Sequence, residues 1–132
     1  MNKIAKQSKF QNKTVLIIED DLFISGMYAD KLVSEGFQVY SAADGRNGLR
    51  LARESRPDLI LLDIILPVVD GFEVLRQLKQ DKERAATPVI ILTNISDPEL
   101  IKTGLSLGAA DYLVKAHFVP SEVMAHIKAL LK

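Results

Sequence analysis

The chain has 132 residues, of which 48% are apolar and 26% charged, proportions that suit one globular domain with a core of its own. Seventeen Lys and Arg balance seventeen Asp and Glu, so the basic excess of a whole-surface nucleic-acid binder is missing. There is no cysteine, which excludes disulfides, thiol catalysis and zinc–thiolate sites, and no apolar run approaches the ~18 residues that span a membrane.

Residues 1–13 (MNKIAKQSKFQNK) carry Lys3, Lys6, Lys9 and Lys13 and no acid. They lack the apolar core of a signal peptide and are expected to be a flexible basic extension, with the domain proper over 14–132 and a cytoplasmic location. A first strand, TVLIIE (14–19), runs into Glu19-Asp20-Asp21, where Asp21 suits a helix N-cap. The following segment repeats Ile24, Tyr28 and Leu32 at helical spacing and stops at Gly36, as a C-terminal cap should. Strand two is FQVYSA (37–42) and strand three DLILLD (58–63), after which Pro67 and Asp70-Gly71 turn the chain into a helix capped by Asp70. Strand four is PVIILT (88–93), followed by a helix with Asp97 as cap, Pro98 as first residue and Gly108 past its end. Strand five, DYLVK (111–115), leads to a last helix opening at Pro120, with Val123, Ile127, Leu130 and Leu131 as its apolar stripe. His117 and His126 read as surface histidines.

Strands one, three and four are nearly all apolar, the pattern of strands covered by helices on both faces. Five strands alternating with helices predict an α/β fold, a doubly wound five-stranded parallel sheet of (βα)5 form. Ligands in such sheets bind outside the carboxyl ends of the strands, near the point where strand order reverses. Those ends carry Glu19-Asp20-Asp21, Asp63, Thr93 and Lys115. Two carboxylates ~4 Å apart repel by about 4 kcal/mol at an effective dielectric of 20, so this acidic cluster needs positive charge. Lys115 supplies one unit, and a hard divalent cation with oxygen ligands fits the rest. No His or Cys stands nearby in sequence to suggest a softer metal. The site therefore looks built for Mg2+ and a phosphoryl group, with Thr93 and Lys115 as donors.

IIEDD, LILLDIILPVVDG, VIILTN and ADYLVKA, in this order and spacing, resemble the receiver domain of bacterial two-component response regulators. The resemblance covers about residues 14–132 and implies the flavodoxin-like receiver fold. It also implies that Asp63 accepts a phosphoryl group from a phosphohistidine on a sensor histidine kinase or histidine phosphotransfer protein. Asp20, Asp63 and the backbone carbonyl of Ile65 would ligate Mg2+, or Mn2+ in its place, with Glu19 acting through a water. Thr93 and Lys115 would bind phosphoryl oxygens. Thr93 and Tyr112 would be the switch pair that repacks the face of helix four, strand five and helix five, where a downstream protein target reads the state. The same resemblance implies no direct contact with nucleic acid or membrane. It makes the chain a switch rather than an enzyme, one that catalyses only its own phosphorylation and slow dephosphorylation, and it is compatible with a phosphorylation-linked homodimer.

Three positions depart from the family pattern. Ala116 stands where a proline in a cis peptide usually follows the lysine; a non-proline cis bond costs ~2.5–4 kcal/mol, so a trans Lys115–Ala116 bond and a reshaped loop are expected. Asn94 replaces a small residue beside Thr93, and the apolar side chain of Ile65 is expected to shield one side of the site. A pseudo-receiver that binds protein without phosphorylation is the alternative that Ala116 and Asn94 leave open, against the complete set of Glu19, Asp20, Asp63, Thr93 and Lys115. An aspartyl-nucleophile phosphatase would place Asp-x-Asp after strand one, and a flavin module would not set three acids against the flavin phosphate. The chain is expected to carry no output domain, as a stand-alone receiver or a piece of a longer regulator.

Overall fold

The computed structural model describes residues 10–132. Five strands alternate with five helices. They are β1 (Thr14–Ile18), α1 (Leu22–Ser34), β2 (Gln38–Ala42), α2 (Gly45–Ser55), β3 (Leu59–Leu62) and α3 (Gly71–Gln80). Then follow β4 (Val89–Thr93), α4 (Pro98–Ser106), β5 (Asp111–Val114), one 3-10 turn (Lys115–His117) and α5 (Pro120–Leu130). The strands form a single parallel sheet in the order β2-β1-β3-β4-β5, the doubly wound architecture expected of right-handed crossovers.

Alternation along the strands divides the core in two. Val15, Ile17, Leu59, Leu61, Ile90, Leu92 and Leu113 pack against Tyr28 and Leu32 of α1 and Val123, Met124 and Ile127 of α5. Leu16, Ile18, Ile60, Leu62, Val89 and Ile91 face α2 and α3 through Leu49, Ala52, Val74, Leu75 and Leu78. Every residue of β1, β3 and β4 is buried, whereas the edge strand β2 buries only Ala42. The helix ends follow their residues. Asp21, Asp44, Asp70 and Asp97 each accept backbone N–H groups of the helix they precede, and Gly36 and Gly108 take positive φ of 101° and 109° after α1 and α4.

Three expectations are corrected. The N-terminal extension is not free up to residue 13: Phe10 is 8% exposed and stacks on Phe37 with ring centroids 5.4 Å apart, because β1 leaves an apolar rim beside α5 that an aromatic ring can close. Residues 1–9 lie outside the described residues. In α5, Val123 and Ile127 are buried but Leu130 is 40% exposed, while Leu131 packs partly buried against the core. His126 is not a free surface histidine: its Nδ1 lies 2.6 Å from Asp111 Oδ2, and its ring meets Phe118 edge-on. His117 is exposed.

Candidate functional site

Strand order reverses between β1 and β3, and there the pairing Ile18↔Leu62 brings Glu19 beside Asp63. The ladder continues one residue further, the Asp63 N–H donating to the Ile18 carbonyl at 3.0 Å. Glu19 and Asp63 are only 5% and 6% exposed, so their charges need partners. Lys115, from the far end of β5, supplies one: its Nζ lies 2.8 Å from Glu19 Oε1 and 3.0 Å from Asp63 Oδ2. Backbone donors complete the set. The Asp21 N–H donates to Glu19 Oε2 at 3.1 Å, and the Ile65 N–H to Asp63 Oδ1 at 3.2 Å.

The electrostatics show an excess of negative charge. Burial pushes the Glu19 carboxyl above its ordinary range, and the Asp63 charge adds to this against the lowering effect of its bonds to Lys115 and the Asp21 N–H. Burial acts to lower the Lys115 ammonium, but its bonds to Glu19 and Asp63 outweigh that and leave it above its ordinary value. Glu19, Asp20 and Asp63 each offer an oxygen within 4.8 Å of the others. Oxygen-only donors with a charge deficit suit a hard divalent cation. Asp20 is exposed, which leaves the cluster open to solvent on one side.

Thr93, at the end of β4, is fully buried, and its Oγ1 has no hydrogen-bond partner. An orphaned buried hydroxyl costs about 1–3 kcal/mol and marks a place where an incoming acceptor would be favoured. Next to it Asn94 is exposed and does not close the site. Ile65 is 59% exposed. The Tyr112 hydroxyl donates to the Ile95 carbonyl at 2.9 Å, tying β5 to the loop between β4 and α4. No cis peptide occurs among the described residues, so Lys115–Ala116 is trans, and the chain passes into α5 through the 3-10 turn.

The match to the response regulator receiver domain family covers residues 15–128. The chain belongs to that family. The receiver domain is 42% identical over 122 residues to the alkaline phosphatase synthesis transcriptional regulatory protein PhoP of Bacillus subtilis, covering 92% of this chain and 49% of that protein. It is 42% identical over 118 residues to the DNA-binding dual master transcriptional regulator RpaA of Synechocystis, covering 89% and 48%. The chain thus spans about half the length of the curated relatives it matches. Among solved structures, the chemotaxis protein CheY4 of Vibrio cholerae superposes with a TM-score of 0.84 at 32% identity, over 90% of this chain and 98% of that one. The BeF3-activated N-terminal receiver domain of Klebsiella pneumoniae RstA gives 0.84 at 27% identity, over 91% and 99%. No helix of the described residues is long and apolar enough to cross a membrane.

The geometry gathers Glu19, Asp20, Asp63 and Lys115 at one sheet edge, with Thr93 at the neighbouring strand end. The sequence marks Gly71 as part of the turn into α3, but not as a close contact under this site. A Cβ on Gly71 would lie 2.4 Å from the Asp63 carbonyl oxygen and 2.5 Å from Ile64 Cα. The Asp-Gly pair reads as a turn in sequence, and only the packed helix shows that it is also a close approach.

Proposed function

We propose that this receiver domain is the phosphoacceptor switch of a two-component phosphorelay, taking a phosphoryl group from a phosphohistidine of a sensor histidine kinase or histidine phosphotransfer protein onto Asp63. The observation that supports this reading best is the placement of Asp63. Its carboxylate is fixed between the Lys115 ammonium at 3.0 Å and the Ile65 N–H at 3.2 Å, within a three-acid cluster. In-line transfer forms a bond from an Asp63 oxygen to phosphorus as the phosphorus–nitrogen bond of the donor breaks. The imidazole leaves with the bonding pair and is protonated. Positioning and charge neutralisation supply the acceleration.

Mg2+, or Mn2+, held by Asp20, Asp63, the Ile65 carbonyl and, through water, Glu19, would neutralise charge on the transferring oxygens. Lys115 then exchanges its bond to Asp63 for one to a phosphoryl oxygen, and the orphaned Thr93 hydroxyl donates to another. Movement of Thr93 disturbs the loop that carries Ile95, and with it the Tyr112 hydroxyl bond. The face of α4, β5 and α5 repacks and a downstream protein target reads it. Beryllofluoride with Mg2+ is the test, as a mimic of the phosphoryl group in amide NMR spectra. Shifts at Thr93, Tyr112 and α4 that vanish in Asp63→Asn are expected. Unchanged spectra would overturn the reading and favour a pseudo-receiver.

A further inference from the structure

The loop between β3 and α3 holds the most strained backbone of the described residues. Val68 has φ of +73°, a left-handed conformation that a β-branched side chain strongly disfavours. The Val69 N–H donates to the Pro67 carbonyl at 2.9 Å, closing a three-residue γ-turn around Val68 of the rare type with positive φ. Nothing in the local sequence demands this turn, because valine is among the residues least suited to it. The start of α2 packs directly against it.

Gly45, the first residue of α2, donates its N–H to the same Pro67 carbonyl at 3.3 Å. Gly45 is buried, and a Cβ there would lie 1.9 Å from the Val69 carbonyl oxygen and 2.8 Å from its carbonyl carbon. The start of α2 therefore presses on the backbone of the turn from behind. At its other end the loop joins the site directly, through the Ile65 N–H on Asp63 Oδ1 at 3.2 Å. Strain of this kind persists only where surrounding contacts over-determine it, and it is characteristic of positions that hold a functional group in place.

We propose that Gly45 and the Val68 turn are positioning residues for Asp63: the clamp between α2 and the β3–α3 loop sets the Ile65 backbone, and through it the carboxylate and carbonyl presented to a divalent cation. This rests on the metal reading of the preceding subsection. Gly45→Ala has to push Val69 away and so displaces the loop. Val68→Gly leaves the clamp and removes the steric penalty, so the turn keeps its conformation at lower cost, whereas Val68→Pro cannot take a positive φ and has to open the turn. Gly48→Ala is the control. It lies on the same helix, but the three atoms nearest its added Cβ all belong to the Ile18 side chain, at 2.7, 2.9 and 3.1 Å, and none to the loop.

The measurement is Mg2+ affinity of the folded protein by titration calorimetry, with thermal midpoints recorded alongside. Gly45→Ala and Val68→Pro are each expected to weaken Mg2+ binding at least about fivefold, and Val68→Gly to bind as the parent does with no fall in the thermal midpoint; Gly48→Ala is expected to bind as the parent does while melting lower. A role confined to stability would lower midpoints without changing affinity. If Gly45→Ala does not fold, Val68→Pro decides. Parent-like affinity in Val68→Pro, or equal losses in Gly45→Ala and Gly48→Ala, would overturn the proposal. A parent that binds no Mg2+ would overturn the metal reading and this inference together, whereas a parent that binds with variants unchanged overturns the inference alone.

Discussion

Lys115 is where the site and the stability of the fold meet. Its side chain is 14% exposed and shared between two buried carboxylates, and removing one partner of a buried pair is costly because the other charge stays. Lys115→Met is expected to lower the unfolding free energy by about 3 kcal/mol at neutral pH, measured by urea denaturation. The sign of its pH dependence follows from its raised folded pKa. The stabilisation is fully present below the unfolded value and is lost as pH rises through the folded one. Stability should therefore begin to fall above about pH 10.5, and this alkaline step should be absent from Lys115→Met. Asp63, Thr93 and Lys115 were legible in the sequence because each closes an apolar run whose length fixes the strand end. His126 was not, since its partner Asp111 lies fifteen positions away and only the packing of α5 on β5 joins them.

Among the helices, α4 differs in how little it buries: Gly104 is its only buried residue, against three or four in each of the others. It is held by the Asp97 cap, whose carboxylate accepts the Glu99 N–H at 2.8 Å, and by the Tyr112 ring, which a Cβ on Gly104 would meet at 3.1 Å. Elements with few buried apolar contacts open first, so α4 amides should exchange with deuterium faster than those of the other four helices. Asp97→Ala should cost about 1 kcal/mol and raise that exchange further, measured by hydrogen-exchange NMR; slower exchange in α4 than in α5 would contradict this. Strands and caps were readable because apolar runs, Asp caps and Pro98 or Pro120 act over a few residues. The Val68 turn was not, because the contact it makes is with α2, more than twenty positions earlier.

The whole molecule is a sheet covered on both faces, with its polar chemistry confined to one edge. Its N-terminal limit lies at least as early as Phe10, which packs on Phe37 and lies under the Lys128 ammonium at 5.9 Å from the ring centroid. Phe10→Ala should therefore destabilise the domain by about 3 kcal/mol, measured by the same denaturation. That contact was hidden in the sequence because the basic residues around Phe10 read as a solvated arm. A cation bound only by the folded site stabilises the fold by mass action, about 2.7 kcal/mol at a hundredfold excess over Kd. The thermal midpoint should rise with Mg2+ in the parent, less so in Asp20→Asn. The most direct measurement of the central claim is intact-mass spectrometry after incubation with a small phosphodonor such as acetyl phosphate, with and without Mg2+. One phosphoryl adduct that requires Mg2+ and is absent from Asp63→Asn is expected; no adduct in the parent, or one that persists in Asp63→Asn, would contradict it.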